Sequence, residues 1–294
     1  MGIAESGQFP AGPLPGKLAP PGGSAAHAVA SVAAPFHWGA EALWESVVPA
    51  LPGFTIEILP EIDSTNSELM RRAKAGLLEP TLVVAEHQTA GRGRLGRSWH
   101  DERMSSQPSA LMFSLGLMLQ PADWSGLSLV VGLAVAQSLH ADLRLKWPND
   151  VWYQRRKMVG ILIETSPVPV AFAASNPGRY VVIGVGVNIQ LPAAAGLATP
   201  PAGLAELWPE TSAAQALTRL LPRLVDHVKR FEVSGFASFR AAFGQRDGLL
   251  GLDVHLSDGQ RGRAAGVDEN GALLVHTAGG LKKVTSSEVS VRPA

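Results

Sequence analysis

Between residues 81 and 189 the chain returns repeatedly to short apolar runs rich in β-formers. They are TLVVAEH (81–87), ALMFSLGLML (110–119), LRLKW (143–147), MVGILIET (158–165) and YVVIGVGVNI (180–189). Runs of this length, bounded by turn-forming residues, are strand signals. So many of them call for one sheet that carries most of the core. FTIEIL (54–59) adds a strand ahead of them. Helical patterns lie between and after: EALWESVVPAL (41–51), TNSELMRRAKAG (65–76) closed by a glycine, 125–141, about 212–232 and 234–243. The fold class expected is α+β, a mixed sheet flanked by helices. After Gly248 the pattern changes to short strands separated by Asp258-Gly259, Asn270-Gly271 and Gly279-Gly280. These are hairpin dipeptides, and they predict a small C-terminal β-barrel.

The other end has no such pattern. Eleven of the first 23 residues are Gly or Pro, and only Glu5 and Lys17 carry charge before residue 41. Such a segment buries too little surface to offset its ordering entropy, so residues 1–38 are expected to be a disordered tail. The domain reading is therefore 1–38 tail, 39–246 catalytic domain and 247–294 barrel. LSLVVGLAVAQSL (127–139) is too short to span a bilayer, and the N-terminus lacks a signal peptide's basic and apolar regions. No cysteine is present, which removes disulfides and thiolate zinc sites and suits a cytoplasmic protein. With 25 basic and 25 acidic side chains, the chain lacks the positive excess of a protein that coats nucleic acid.

Four stretches carry chemistry. GRGRLGR (91–97) packs three arginines and three further glycines around one leucine, directly after a strand. Backbone N–H groups of such a turn, with guanidinium forks, can close on carboxylate or phosphate. The loop lacks the GK[ST] ending of a P-loop, and a solvated basic turn is the plainer alternative. KWPNDVW (146–152) sets Lys146, Asn149 and Asp150 on a corner fixed by Pro148, with an aromatic wall on either side. Lys157 stands at the start of the next strand, where it can return to the same sheet edge. DSTNSE (63–68) spells a capping box through Thr65 and Glu68, and a helix N-terminus also suits polar ligand groups. In GVGVN (184–188), glycines inside a strand point to close approach of another group or tight packing against a helix.

Together STN, GRGRLGRSW, KWPND, RKMVGILIE and GVGVN resemble, in order, the pattern of the biotin–protein ligase family. The likeness covers about residues 41–294 and includes GALLV and EVSVR of the tail. It implies a class II synthetase-like catalytic domain with an SH3-like C-terminal barrel. It also implies activation of biotin with ATP and Mg2+, followed by transfer to one lysine of a biotin carboxyl carrier protein. By position the resemblance puts Ser64, Thr65, Asn66, Gln88, Arg92, Gly93, Arg94 and Lys157 against biotin. Arg94, Trp99, Asn149, Asp150 and Asn188 fall toward the nucleotide, and Asp150 toward magnesium. Lys157, Arg92 and Arg94 are the catalytic set.

The chemistry asks for the same residue types. A ureido ring offers two N–H donors and one carbonyl, which hydroxyls and an amide can pair in an apolar pocket. Attack of a carboxylate on a phosphate joins two anions, whose repulsion fixed cations must cancel. A Gly-rich loop that orders on the ligand would shield the mixed anhydride from water. The stretch DERMSSQPSALMF (101–113) is longer than the family pattern and lacks its Gly–Asn pair, so no role is carried onto it. Residues 1–53 leave no room for a winged DNA-binding domain, so a stand-alone ligase without sequence-specific DNA or membrane binding is expected. Monomer and homodimer both stay open. The rivals are a lipoate or octanoate ligase, a biotin-responsive repressor without catalysis, and an RNA-binding protein using Arg92, Arg94 and Arg97.

Overall fold

The computed structural model describes residues 36–99, 107–168, 178–193, 199–285 and 291–293. Seven strands form the main sheet: β1 (Thr55–Leu59), β2 (Thr81–Ala85), β3 (Ala110–Leu119), β4 (Arg144–Lys146), β5 (Asp150–Tyr153), β6 (Arg156–Pro167) and β7 (Arg179–Asn188). Their order is β1-β2-β3-β7-β6-β5-β4, with β1 and β2 parallel and every other neighbour antiparallel. Among the described residues the α-helices are α1 (Ala40–Val47), α2 (Thr65–Lys74), α3 (Leu127–Leu139), α4 (Ala213–Ser234) and α5 (Arg240–Gly244).

Because side chains alternate across a strand, the sheet builds two cores. Leu82, Val84, Val181, Ile183 and Val185 point to one face and join α1, α3 and α4 in the larger cluster. Val83, Tyr180 and Val182 point to the other and meet Leu69 and Ala73 of α2. Helix α3 is apolar nearly all round and buried along most of its length, as a helix between sheet and helix must be. On the α2 face, however, a row of positions carries little side chain. Ser114 of β3 stands beside Gly184 of β7, and Met112 beside Gly186, which in turn pairs with Gly160 of β6. That bare patch becomes the floor of the cavity described below.

The C-terminal part is a five-stranded antiparallel sheet: β8 (Asp253–Leu256), β9 (Arg261–Val267), β10 (Leu273–Thr277), β11 (Gly280–Val284) and β12 (Val291–Pro293), in the order β11-β10-β9-β8-β12. Its hairpins turn at the three expected dipeptides. Val254, Val275 and Val291 belong to the larger core cluster, so the described residues of both sheets share one interior.

Three expectations change. The disordered tail over 1–38 lies mostly outside the described residues, but Phe36–Trp38 are placed. Trp38 is buried, and its indole N–H donates to Glu86 Oε1 at 3.0 Å. A buried indole makes Trp38 part of the fold. The helix at 41–51 stops at Val47, before Pro49-type turn geometry leads to β1. Strand β5 has no separate apolar run to announce it, because its four residues begin with Asp150.

Candidate active site

The cap of α2 is Ser64 and not the expected Thr65–Glu68 box: Ser64 accepts from Ser67 N at 3.4 Å, and the Glu68 carboxylate turns to Arg71 and Arg72. Thr65 and Asn66 fall in the first turn; Ser64, Thr65 and Asn66 are all buried. Asp63 fixes this end from outside. Its Oδ1 accepts from Ser64 N at 2.7 Å, and its ion pair with Arg71 pulls its carboxyl down to about 2. Inside, Gln88 Oε1 accepts from Thr65 N at 2.8 Å. Ser114 Oγ lies 2.7 Å from Thr65 Oγ1 and 2.6 Å from Asn66 Oδ1. Each hydroxyl has one proton, so with Ser114 donating to Asn66 Oδ1 the Thr65 hydroxyl proton is shared between Ser114 Oγ and Gln88 Oε1, the latter 3.2 Å away. The Asn66 amide N–H groups go to Leu162 O at 3.2 Å and Glu164 Oε2 at 2.9 Å. Asn66 is therefore fully committed within the protein.

The arginine loop is a hairpin. Trp99 N donates to Gly91 O at 2.9 Å, Gly93 N to Arg97 O at 2.7 Å, and a 3-10 turn over Arg94–Gly96 makes the tip, with Leu95 72% exposed. Arg92 turns away from the tip and forms a two-pronged pair with Glu164, at 3.1 and 2.5 Å. Arg94 donates to Asn149 Oδ1 at 3.2 Å. Trp99 lies over the bare floor: a Cβ on Gly186 would stand 2.6 Å from its ring, and one on Gly184 would stand 2.0 Å from Asn66 Oδ1. Both readings of GVGVN thus hold, one glycine admitting an indole and the other a helix side chain.

The KWPND corner forms the third wall. Lys157 Nζ meets Asp150 Oδ1 at 2.8 Å and sits 5.9 Å from the Trp99 ring centre. Lys146 reaches Asp150 Oδ2 at 3.4 Å. Burial pushes the Asp150 carboxyl up, but Lys157 and Lys146 outweigh it and hold it below the usual range. Burial also lowers Lys146, against the pull of Asp150. The corner itself is clamped from several sides. Asn149 Nδ2 donates to Ile161 O at 2.8 Å, Ser128 Oγ to Pro148 O at 2.9 Å, and Trp147 Nε1 to Gly271 O of the C-terminal sheet at 2.9 Å. Trp147 and Trp152 are buried behind the corner, so the expected aromatic wall is supplied by Trp99 instead.

All twelve residues singled out from the sequence line one cavity of about 420 Å³: Ser64, Thr65, Asn66, Gln88, Arg92, Gly93, Arg94, Trp99, Asn149, Asp150, Lys157 and Asn188. Arg97 and Lys146 line it too. Asn188 uses its amide on Lys157 O and Ala202 O, so it ties strand to loop. Ser114 and Glu164 were not foreseen. A lone serine in the apolar run 110–119 was the only local sign of the first. The stretch 101–113 lies partly outside the described residues.

Two neighbouring subsites result. Gly184, under the hydroxyl and amide cluster, and Gly186, under Trp99 and the lysines, are two residues apart on one strand, about 7 Å. A neutral polar recess therefore adjoins a cationic, aromatic one. Comparison with known proteins finds matches to both parts of the chain. Residues 59–188 match the model of the biotin/lipoate A/B protein ligase family, and residues 258–292 that of the biotin protein ligase C terminal domain. The bifunctional ligase/repressor BirA of Escherichia coli (strain K12) is 32% identical over 266 residues, covering 85% of this chain and 78% of that one. The biotin--[acetyl-CoA-carboxylase] ligase of Paracoccus denitrificans is 32% identical over 244 residues, covering 79% and 98%. Among solved structures, the biotin protein ligase from Aquifex aeolicus in complex with biotin and ATP superposes with TM-score 0.67 at 30% identity, covering 82% of this chain and 99% of that one. With motifs, cavity and both parts of the chain in agreement, the chain belongs to the biotin protein ligase family.

Proposed function

We propose that this protein is an ATP-dependent biotin–protein ligase that makes biotinyl-5'-AMP and transfers biotin to one lysine of the biotin carboxyl carrier protein of a biotin-dependent carboxylase. The observation that carries the reading is the pair of adjoining subsites in one cavity. Ser64, Thr65 and Gln88 offer hydroxyl and amide groups to the ureido ring, and the lysines and arginines beside Trp99 receive the anions. A lipoate ligase has no use for that polar recess, since a dithiolane ring has neither N–H nor carbonyl to pair.

In the first step the carboxylate oxygen of biotin attacks the α-phosphorus of ATP, a P–O bond forms, and the bond to pyrophosphate breaks. Lys157 and Arg94 face the two anions and offset their repulsion, and Asp150 holds the Lys157 ammonium in place. Arg92 contributes less than its position suggests, because Glu164 already matches its charge. In the second step the carrier amine attacks the acyl carbon, AMP departs, and the amine loses a proton. The hairpin tip excludes water in between.

Among the described residues lining the cavity, Asp150 is the carboxylate that would take a nucleotide-carried magnesium, giving up a lysine contact to do so. No three acidic or histidine side chains among the described residues could hold an ion, whereas Mg2+ at a nucleotide needs one or two carboxylates besides phosphate oxygens. Bound there, the ion neutralises phosphate charge. We place the reaction in the cytoplasm, where ATP and the carrier meet. No described helix is long and apolar enough to cross a membrane.

The test is mass spectrometry of a carrier domain incubated with the protein, Mg·ATP and biotin, with lipoate in a parallel arm. One biotinyl group on one lysine is the expected result. Transfer of lipoate at a similar rate, or no transfer, overturns the reading. Biotin with ATP should also raise the melting temperature more than either alone. A ligand a thousandfold above its Kd stabilises by about 4 kcal/mol.

A further inference from the structure

The polar residues of the cavity close into a circuit. From Gln88 at the base of the arginine hairpin, hydrogen bonds run through Thr65, Ser114 and Asn66 to Glu164, and from Glu164 to Arg92, back on the hairpin. Glu164 is the one acid in it. It lies on β6, 72 residues from Arg92 and 98 from Asn66 in sequence, and its side chain is 25% exposed.

We propose that Glu164 is a positioning residue, whose carboxylate pins Arg92 to Asn66 and so locks the base of the hairpin to the floor of the cavity. Two features of the geometry argue for a lock over a solvated surface pair. The pair is two-pronged, which fixes orientation as well as distance. The same oxygen that takes Arg92 also takes an N–H of the buried Asn66, whose other amide atoms are already bonded. The Glu164–Arg92 pair is net neutral, so it leaves Arg94, Arg97, Lys146 and Lys157 as the cations facing an anionic ligand. Rotation of Arg92 into the cavity would strand the Glu164 charge beside an amide and two carbonyls, which opposes that motion. The inference rests on the ligase reading only where biotin is the readout.

The experiment compares Glu164→Gln, Glu164→Asp, Arg92→Gln and the double variant Glu164→Gln/Arg92→Gln. Without any ligand, trypsin cleavage after Arg94 and Arg97 is followed by mass spectrometry. Glu164→Gln is expected to speed it about tenfold, since the amide replaces an acceptor with a donor aimed at other donors. Glu164→Asp, which keeps the charge on a shorter stem, should recover most of the protection. In adenylate synthesis the KM for biotin should rise about tenfold with Glu164→Gln, while kcat falls less than threefold. Because both residues act through one contact, the double variant should be no worse than the poorer single one. Cleavage at the parent rate in Glu164→Gln, or single effects that multiply in the double variant, would overturn the proposal. If the parent itself binds no biotin, the ligase reading fails, and the ligand-free cleavage still decides the role of Glu164.

Discussion

Lys157→Met keeps most of the side-chain volume and removes one charge, and its consequences can be worked from the geometry. In the parent Lys157 Nζ stands 2.8 Å from Asp150 Oδ1, with the side chains 31% and 13% exposed. Removing one partner of a fully buried pair costs about 3–5 kcal/mol, and an exposed pair contributes about 0–1. This pair lies between, so a loss of about 1–2 kcal/mol is expected, or roughly 2–4 °C in melting temperature for a chain of this size. The pH dependence follows from Asp150. In the parent its carboxyl lies below the usual value, so its contribution is present above the unfolded pKa and is lost as pH falls through the folded one. Without Lys157, burial opposed by Lys146 alone raises the carboxyl, and the buried charge is relieved by protonation on acidification. The gap in melting temperature between parent and variant should therefore narrow as the pH falls into the carboxylate range. Adenylate synthesis should suffer much more than stability. Loss of one fixed electrostatic donor costs about 2–4 kcal/mol in the transition state, a slowing of roughly 30- to 1,000-fold. Pyrophosphate release at saturating biotin and ATP measures it. Turnover within twofold of the parent, or a melting gap that does not change with pH, would refute the reasoning.

Ser114→Ala leaves Asn66 Oδ1 without its donor; an unsatisfied buried acceptor costs about 1–3 kcal/mol. Urea unfolding should show that loss, and the melting shift produced by biotin should shrink with it. Gly184→Ala drives a methyl against Asn66 Oδ1, so stability should fall by about 1–3 kcal/mol and biotin binding should weaken in the same variant; isothermal titration checks the second effect. Deletion of residues 1–35 should leave melting unchanged, whereas Trp38→Ala should cost about 3–5 kcal/mol as a buried aromatic lost from the core. Arg94→Gly removes a cation that faces the intermediate; hydrogen bonds to charged groups contribute about 1.5–3 kcal/mol each, so the adenylate should escape roughly 10- to 150-fold faster. Labelling of lysines on added albumin reports that leak, and strict carrier selectivity in the variant would contradict it.

The fold was legible where a strand is buried on both faces, because then its apolar length is its whole signal. ALMFSLGLML became β3 over its full span, Ala110–Leu119. Strand β5 escaped because it is only four residues long, with Val151 and Trp152 buried and Asp150 and Tyr153 half-buried, so it shows no alternation. Trp38 escaped for the opposite reason. One indole beside a Pro/Gly-rich segment has no period to reveal it, and its acceptor, Glu86, lies 48 residues on.

The site divides along the same physical line. Residues whose local backbone advertises them were read from the sequence: the glycines of the hairpin, Pro148 at its corner, and Ser64 at its helix start. Residues whose meaning is a distant partner were not. Ser114 matters because α2 lays Thr65 and Asn66 across it, 49 and 48 residues away. Trp147 looked like a wall of the cavity, yet its N–H reaches Gly271, 124 residues later, and so joins the C-terminal sheet to the corner that carries Lys146, Asn149 and Asp150. Glu164 stands near the end of the apolar run MVGILIET, where nothing local marks it, while the hairpin it holds lies 72 residues upstream. Motif spacing records what neighbours in sequence must do; charges that restrain other charges are recorded only in the fold. That is why Arg92, Arg94 and Lys157 read from the sequence as three cations set against two anions, while the structure leaves Arg92 matched by Glu164 and sets Asp150 between Lys146 and Lys157. A site that must hold an anionic intermediate and then release it needs such internal acids. They offset the repulsion among the cations of the unliganded cavity, and they fix which cations turn toward the ligand.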